Sequence, residues 1–119
     1  MATHNDLGKE GEKLALNYLQ KKGFQILENN WRYLKAEIDI IAATEKFLVI
    51  VEVKTRNNNY FGNPEEFVSQ KKIKLLVTAA NEYVVSNNLD MEVRFDIISV
   101  ILNKKETKIT HLENAFLHF

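Results

Sequence analysis

The sequence predicts an α/β fold in which helices flank a mixed central sheet, with the elements in the order α-β-β-β-α-β. Helical periodicity covers residues 5–22 and again residues 65–85. Three strand-like segments separate the two helices, and another follows the second helix. The 119 residues contain no internal repeat or low-complexity segment, and this length suffices for one core. We therefore expect residues 1–119 to form a single domain.

The first predicted helix begins with Asn5 and Asp6 as a cap and ends at Lys22, before Gly23. Glu12 falls inside the apolar face of this helix. That face is a continuous arc formed by Leu7, Gly11, Ala15, Leu16 and Leu19. Because a carboxylate that faces a core is costly unless a cation pairs with it, Glu12 either meets a structural lysine or arginine or belongs to a functional site.

The predicted central strand, Phe47–Lys54, is an unbroken apolar run that ends in Glu52, Val53 and Lys54. Since strand side chains alternate between two faces, Glu52 and Lys54 share one face. Two opposite charges at the end of a buried strand indicate either a structural ion pair or part of an active site.

Two strands precede the central strand and are predicted over Phe24–Tyr33 and Ala36–Ala42, followed by a turn around Thr44 and Glu45. A turn of two or four residues would pair Asp39 with Ile50 and Glu37 with Glu52. These three acids and Lys54 would then share one face, whereas an odd-length loop would separate them.

Three carboxylates on one patch of sheet carry more negative charge than Lys54 balances. Hard oxygen ligands of this kind are those that Mg²⁺ and Mn²⁺ prefer. The predicted hairpin therefore favours a divalent metal at the end of the central strand.

A polar loop is predicted from Thr55 to Pro64, and a second helix from Pro64 or Glu65 to Val85. Lys72 lies in the middle of the apolar face of this helix, whereas Lys71 and Lys74 lie outside it. Lys72 therefore either extends along the apolar surface towards water or points at the carboxylates.

The last predicted elements are strands at Glu92–Leu102 and Lys108–Leu112, joined by a turn at residues 103–106. Arg94 and Asp96 share a face of the first of these strands and can form a plain ion pair there. The three histidines lack the spacing of metal ligands, so we do not expect a histidine metal site.

Composition and charge exclude several classes of protein. The absence of cysteine excludes disulfide frameworks and thiolate metal sites. No segment has the apolar character of a signal peptide or membrane span, so we expect a cytoplasmic protein with no membrane partner. Sixteen basic residues balance sixteen acidic ones, which disfavours a strongly basic nucleic-acid binder but not an enzyme with acids around a metal and bases at its rim.

The element order and the set of Asp39, Glu52 and Lys54 resemble the PD-(D/E)xK nuclease superfamily. A closer resemblance covers almost the whole chain. Its motifs are Gly11-Glu12, Asn30-x-Arg32, Glu37-Ile38-Asp39-Ile40-Ile41, Val51-Glu52-Val53-Lys54-Thr55-Arg56, Phe61-Gly62, Arg94-Phe95-Asp96 and Asn114-Ala115-Phe116. In these motifs the chain is similar to the YraN-like family of small bacterial proteins, described as uncharacterised and distantly similar to archaeal Holliday junction resolvases. One departure is Ala36, where that family usually has glycine.

The resemblance implies a restriction-endonuclease-like core and a Mg- or Mn-dependent endonuclease that hydrolyses DNA, including branched or repair-related DNA. Asp39, Glu52 and the Val53 carbonyl would hold one or two divalent ions, with Glu12 as a further ligand. Lys54 would orient the attacking water or neutralise charge on the phosphate. The resemblance further implies that Lys72 supports the phosphate from the second helix and that Glu37 is a structural acid behind the metal ligands. We also expect Arg56, which lies two residues past Lys54, and Lys71 to contact nucleic acid.

Two alternatives remain open at this point. The domain could be a nucleic-acid-binding or partner-binding module that keeps the fold without turnover, which the neutral net charge and the uncharacterised status of the family motivate. Alternatively, Glu12, Asp39, Glu52 and Lys54 could form a buried structural ion network. A homodimer is compatible with the resemblance, because Holliday junction resolvases act as dimers, but no exposed apolar strip in the sequence indicates one.

Overall fold

The computed structural model describes residues 4–58 and 68–115. The helices are α1 (His4–Lys21) and α2 (Gln70–Ser86). The strands are β1 (Gln25–Tyr33), β2 (Ala36–Ala43), β3 (Phe47–Arg56), β4 (Glu92–Leu102) and β5 (Thr107–Leu112). This order confirms the predicted α/β fold with an α-β-β-β-α-β core, which β5 extends by one strand. Within the described ranges, neither helix is long and apolar enough to cross a membrane.

The five strands form one mixed sheet in the spatial order β1-β2-β3-β4-β5. Strands β3 and β4 are parallel, and α2 makes the crossover between them. The other neighbouring pairs are antiparallel. The central strand β3 therefore has a hairpin partner on one side and a parallel partner on the other.

One helix covers each face of the sheet, which explains why β3 is apolar at consecutive positions. Val49 and Val51 of β3 lie in a buried cluster with Ala15 and Leu19 of α1. Leu48 and Ile50 lie in a second buried cluster on the α2 side. A strand that is buried on both faces loses the polar alternation of a half-exposed strand.

Local sequence motifs fix the end of α1 and the start of α2. After α1, the Gly23 N–H donates to the Gln20 carbonyl and the Phe24 N–H to the Leu19 carbonyl, with Gly23 at φ 93°. This is a Schellman ending, which favours glycine at the left-handed position. Ser69 caps the start of α2, because its hydroxyl accepts a hydrogen bond from the Lys72 N–H at 3.1 Å.

The predicted start of the second helix was wrong for the described residues. Ser69 is extended, with φ −73° and ψ 162°, so α2 begins at Gln70 rather than continuing from Pro64 or Glu65. The predicted polar loop was also placed too early, since Thr55 and Arg56 belong to β3 and pair with Val100 and Ile101. Of the rest of that loop, residues 57 and 58 are described and follow β3, whereas residues 59–64 lie outside the described residues.

The predicted register of the β2–β3 hairpin was wrong by two residues. Ile41 faces Ile50 and Ile40 faces Val51, so the next positions in line are Asp39 and Glu52. The turn is centred on Glu45 and Lys46, because the Thr44 N–H donates to the Phe47 carbonyl at 2.9 Å. An even shift keeps the same side chains on the same face, so the acids still converge. Asp39, not Glu37, is the residue opposite Glu52.

Strand β2 departs from regular alternation at Asp39. Ile38 and Ile41 both belong to the cluster on the α2 side, whereas Ile40 and Ala42 belong to the cluster on the α1 side. Regular alternation would put Ile38 and Ile40 on the same face. The irregularity lies across from Asn30 of β1, whose φ of 54° is left-handed.

Candidate active site

The candidate site lies where β3 ends and β2 begins, on the side of the sheet that α2 covers. At its centre is Glu52, whose side chain is only 3% exposed. Its Oε2 lies 3.1 Å from Lys72 Nζ and 3.5 Å from Lys54 Nζ. Its Oε1 is buried and has no hydrogen-bond partner in the part of the chain that is described. A buried acceptor without a donor is rare in folded proteins, where such groups usually meet a donor, an ordered water or an ion.

Asp39 is held against the end of β3 by the backbone. Its Oδ2 accepts a hydrogen bond from the Val53 N–H at 2.8 Å. Burial, followed by the negative charge of Glu52, raises the pKa of Asp39 to about 8, although the Val53 bond opposes this shift. When Asp39 is protonated it can share its proton with Glu52.

Glu12 approaches the two acids from α1. Burial raises the pKa of Glu12, a hydrogen bond from Asn30 lowers it, and the charges of Glu37 and Glu52 raise it further. The described contacts of Glu12 therefore include an amide rather than the lysine or arginine that a structural ion pair would require. Gly11 permits this approach, because its backbone packs directly against Thr55 at the end of β3.

Lys72 points at the carboxylates rather than along the apolar surface. Burial alone lowers the pKa of Lys72, but the charges of Glu52, Asp39 and Glu37 outweigh it and raise the pKa. Lys54, which shares its strand face with Glu52, supplies the second cation. These two lysines confirm the predicted convergence of α2 and β3 on one patch.

Three further predicted residues lie around this centre. Glu37 pairs with Arg32, with 2.9 Å between Arg32 Nε and Glu37 Oε2, so it lies among the acids without joining Asp39 and Glu52. Arg56 is half-buried at the end of β3, and its Nη1 donates to the Thr55 carbonyl at 3.1 Å. Lys71 is exposed on α2, next to Lys72.

The residues fit a divalent cation in part. Two adjoining carboxylates and one unpartnered buried oxygen are suitable donors for a hard cation. However, no group of three or more His, Asp or Glu side chains within residues 4–58 and 68–115 is placed to hold a metal ion. Glu12 in particular does not complete such a group, and the two lysines contact the other oxygen of Glu52, Oε2.

Asn30 is a site residue to which the sequence analysis gave no role. Its left-handed backbone lies across from Asp39, and its side chain contacts Glu12. An asparagine inside a strand is the signal that could have indicated it, because asparagine tolerates a left-handed backbone better than other non-glycine residues.

A second charged cluster lies on the opposite face of the sheet. Arg94 Nε and Nη2 each donate to an oxygen of Asp96 at 3.0 Å, which confirms the predicted ion pair. His111 Nε2 lies 2.7 Å from Asp96 Oδ2, and the Asn114 N–H donates to Oδ1 at 3.0 Å. Burial raises the pKa of Asp96, but the bonds from His111, Arg94 and Asn114 outweigh it and lower the pKa. This network ties β5 to β4, and within the described residues His111 Nδ1 is its one buried atom without a hydrogen-bond partner.

Comparison with known proteins gives one consistent result. Residues 11–100 match the model of a family described as uncharacterised protein family UPF0102. A UPF0102 protein of Flavobacterium psychrophilum is 63% identical over 119 residues, which cover the whole of both chains. A UPF0102 protein of Christiangramia forsetii is 56% identical over the same span, again covering both chains fully. One of Bacteroides thetaiotaomicron is 50% identical over 116 residues, covering 98% of this chain and 96% of the relative.

Proposed function

This chain belongs to the UPF0102 family, and we propose that it is a metal-dependent endonuclease that hydrolyses phosphodiester bonds in DNA. The observation that carries the proposal is the close approach of the Asp39 and Glu52 carboxylates, beside a buried Glu52 oxygen that has no donor among the described residues. Two carboxylates that burial forces together raise the pKa of one of them, and such perturbed groups concentrate at functional sites. The resemblance to PD-(D/E)xK nucleases supports the same assignment.

Asp39, Glu52 and the Val53 carbonyl are the groups that would hold Mg²⁺ or Mn²⁺, with Glu12 nearby on α1 but not completing a three-carboxylate group among the described residues. The bound ion supplies Lewis-acid stabilisation of the negative charge that develops on the phosphoryl group. The Val53 bond fixes the orientation of the Asp39 carboxylate, and burial keeps bulk water away from Glu52.

The two lysines act on the substrate phosphate from the same side. Lys54 Nζ, already 3.5 Å from Glu52 Oε2, is placed to orient the attacking water or to neutralise charge on the phosphate. Lys72 is the more exposed of the two and would contact the phosphate from α2. Arg56 and Lys71 lie further out, where they would hold the flanking backbone of the DNA.

The test is cleavage of labelled linear, flapped and four-way DNA by the purified protein in the presence of Mn²⁺. We expect cleavage that Asp39→Asn and Glu52→Gln each abolish. Glu45→Gln, a matched change of an exposed acid in the β2–β3 turn, should leave it intact. Mn²⁺ should also raise the melting temperature of the wild-type protein but not that of Glu52→Gln. The proposal fails if no substrate is cut, or if cleavage survives both site substitutions.

One observation favours a second function, namely binding of nucleic acid without cleavage. Lys54 and Lys72 both pair with Glu52, and the described residues offer no three-acid group for a metal. A binding module of this kind would hold DNA through phosphate contacts that weaken steeply with salt. Salt-dependent binding together with no Mn²⁺-stimulated product would favour it over the nuclease.

A further inference from the structure

The turn between β1 and β2 carries an unusual residue at its tip. Tyr33 pairs with Ala36, so the turn consists of Leu34 and Lys35 alone. Leu34 is 83% exposed and has a left-handed backbone, with φ 55°. A leucine at this tip is unfavourable in two ways, because the side chain strains the left-handed backbone and also exposes apolar surface to water.

At the other left-handed positions, the described chain has a different type of residue. Apart from Leu34, the non-glycine residues with positive φ are all asparagines: Asn30, Asn88 and Asn114. Asparagine suits this conformation, since its short polar side chain bonds locally. Because Leu34 buries almost nothing, it does not stabilise the fold in return. An outlier of this kind points to a function of the side chain itself.

The tip lies at the same end of the sheet as the candidate site. Leu34 precedes Asp39 by five residues, a distance of at most about 17 Å along an extended strand. Leu34 also lines a groove of ≈ 380 Å³ with Tyr33, Lys35, Ala36, Leu75 and Thr78. Leu75 follows Lys72 by one turn of α2, and Lys72 contacts Glu52. The groove and the site therefore adjoin on one side of the molecule.

The charges around the groove match a polyanion. Lys35 stands next to Leu34, while Lys71 and Lys74 lie one helical turn before Leu75 and Thr78; all three lysines are exposed. A two-fold contact between copies of the chain would bring the same three cations from both copies into one interface, because each copy contributes the same surface patch. DNA phosphates would neutralise them instead.

We propose that Leu34 is a wedge that inserts between the bases of DNA bound at the candidate site. The inference rests on the proposed function only in taking DNA as the ligand. Leucine is among the apolar side chains that unstack base steps. A base that is mismatched or damaged is the least costly to unstack, so the preferred substrate is DNA whose stacking is already interrupted. At about 3.4 Å per nucleotide, the wedge would act at most about five nucleotides from the reacting phosphate.

The experiment measures unstacking directly and without cleavage. Full-length protein is titrated in EDTA into duplexes that carry 2-aminopurine beside a mismatch or in fully paired sequence, because 2-aminopurine brightens when it unstacks. We expect the wild-type protein to raise the fluorescence and to prefer the mismatched duplex. Leu34→Asn should lose the rise, and its affinity for the mismatched duplex should fall about tenfold, as for loss of one buried leucine contact.

Val85→Asn is the matched control, because Val85 is a large exposed apolar residue, at 63%, near the far end of α2. It should behave as the wild type. The melting temperature of Leu34→Asn should be equal to or higher than that of the wild type, since asparagine relieves the backbone strain. This result excludes misfolding as the cause of the lost signal.

Three outcomes would overturn the wedge: no binding of DNA, binding without a rise in fluorescence, or a rise that Leu34→Asn retains. A fourth outcome that would overturn it comes from sedimentation. If the wild type is a dimer and Leu34→Asn is a monomer, the groove binds a second copy of the chain instead of DNA. Cleavage with Mn²⁺ is scored separately. Leu34-dependent unstacking without cleavage would refute the nuclease and support the wedge, and cleavage without unstacking would do the reverse.

Discussion

Substitution of Gly11 by alanine tests how closely α1 must approach the end of β3. A Cβ at this position would lie 1.8 Å from Thr55 Oγ1, 2.7 Å from Cγ2 and 2.8 Å from Cβ. Rotation of the threonine side chain cannot relieve the last of these contacts, which is 0.6 Å shorter than the 3.4 Å where ordinary contact begins. The helix itself must therefore move outwards, and Glu12 moves with it.

Overpacking of this kind costs about 1–3 kcal/mol, and replacing a helical glycine by alanine returns up to about 1 kcal/mol. We expect Gly11→Ala to lower the free energy of unfolding by about 1–2 kcal/mol, measured by urea denaturation. Gly8→Ala is the control in the same helix, because its new Cβ would meet nothing within 4 Å. It should stabilise the protein by about 0.5–1 kcal/mol.

The double variant of Gly11→Ala with Thr55→Gly removes all three contact atoms. The two changes should couple favourably by at least about 1 kcal/mol in a double-mutant cycle. If Gly11→Ala is as stable as Gly8→Ala, or if the cycle shows no coupling, the close approach of α1 to β3 is refuted.

Three other predictions follow from the ion pairs. Asp96→Asn should cost about 3–5 kcal/mol, because it removes the buried carboxylate that Arg94 and His111 contact and leaves Arg94, among the described residues, with only the longer Glu113 ion pair of 3.7 Å. The pKa of Asp96 in the folded state lies below its usual 3.8. The stabilisation from Asp96 is therefore present above about pH 4 and is lost as the pH falls towards the lower, folded-state pKa. In urea denaturation from pH 2 to 7, the free energy of unfolding should fall less steeply with acid in the variant than in the wild type. Asp39→Asn should stabilise the protein by about 1 kcal/mol in EDTA at pH 8, since it removes repulsion by Glu52, and a destabilised variant would contradict this. Lys72→Met should cost about 1–3 kcal/mol by leaving Glu52 with Lys54 alone, whereas Lys71→Met, an exposed neighbour, should stay within about 0.5 kcal/mol.

Much of the fold was predictable because it depends on local patterns. Gly23 marks the end of α1, and the unbroken apolar run of β3 indicates burial on both faces. The convergence of Asp39 and Glu52 was also predictable, since the period of a strand fixes which side chains share a face. That convergence survived a wrong register only because the error was an even number of residues.

The remaining features depend on contacts that no local pattern encodes. The partner of Asp39 was misassigned because the turn is centred on Glu45 and Lys46 rather than one residue earlier. The role of His111 was missed because it arises from the pairing of β5 with β4, which brings His111 beside Ile98 and within reach of Asp96. Which residues of two neighbouring strands face each other depends on tertiary contacts. Sequence periodicity determines only whether an error in the register is an even or an odd number of residues.

The bond between Val53 N–H and Asp39 Oδ2 affects how experiments on this site are read. Hydrogen-bonded pairs in the hairpin alternate from Thr44 and Phe47, so an unbroken ladder would have Val53 donate to the Ile38 carbonyl. The aspartate side chain takes the place of that carbonyl. Asp39→Ala would therefore leave the Val53 N–H without its acceptor as well as remove an acid. Inactivity of that variant would not distinguish loss of a catalytic carboxylate from local unpairing of β2 and β3. Asparagine keeps an acceptor for the Val53 N–H, so only that substitution isolates the carboxylate.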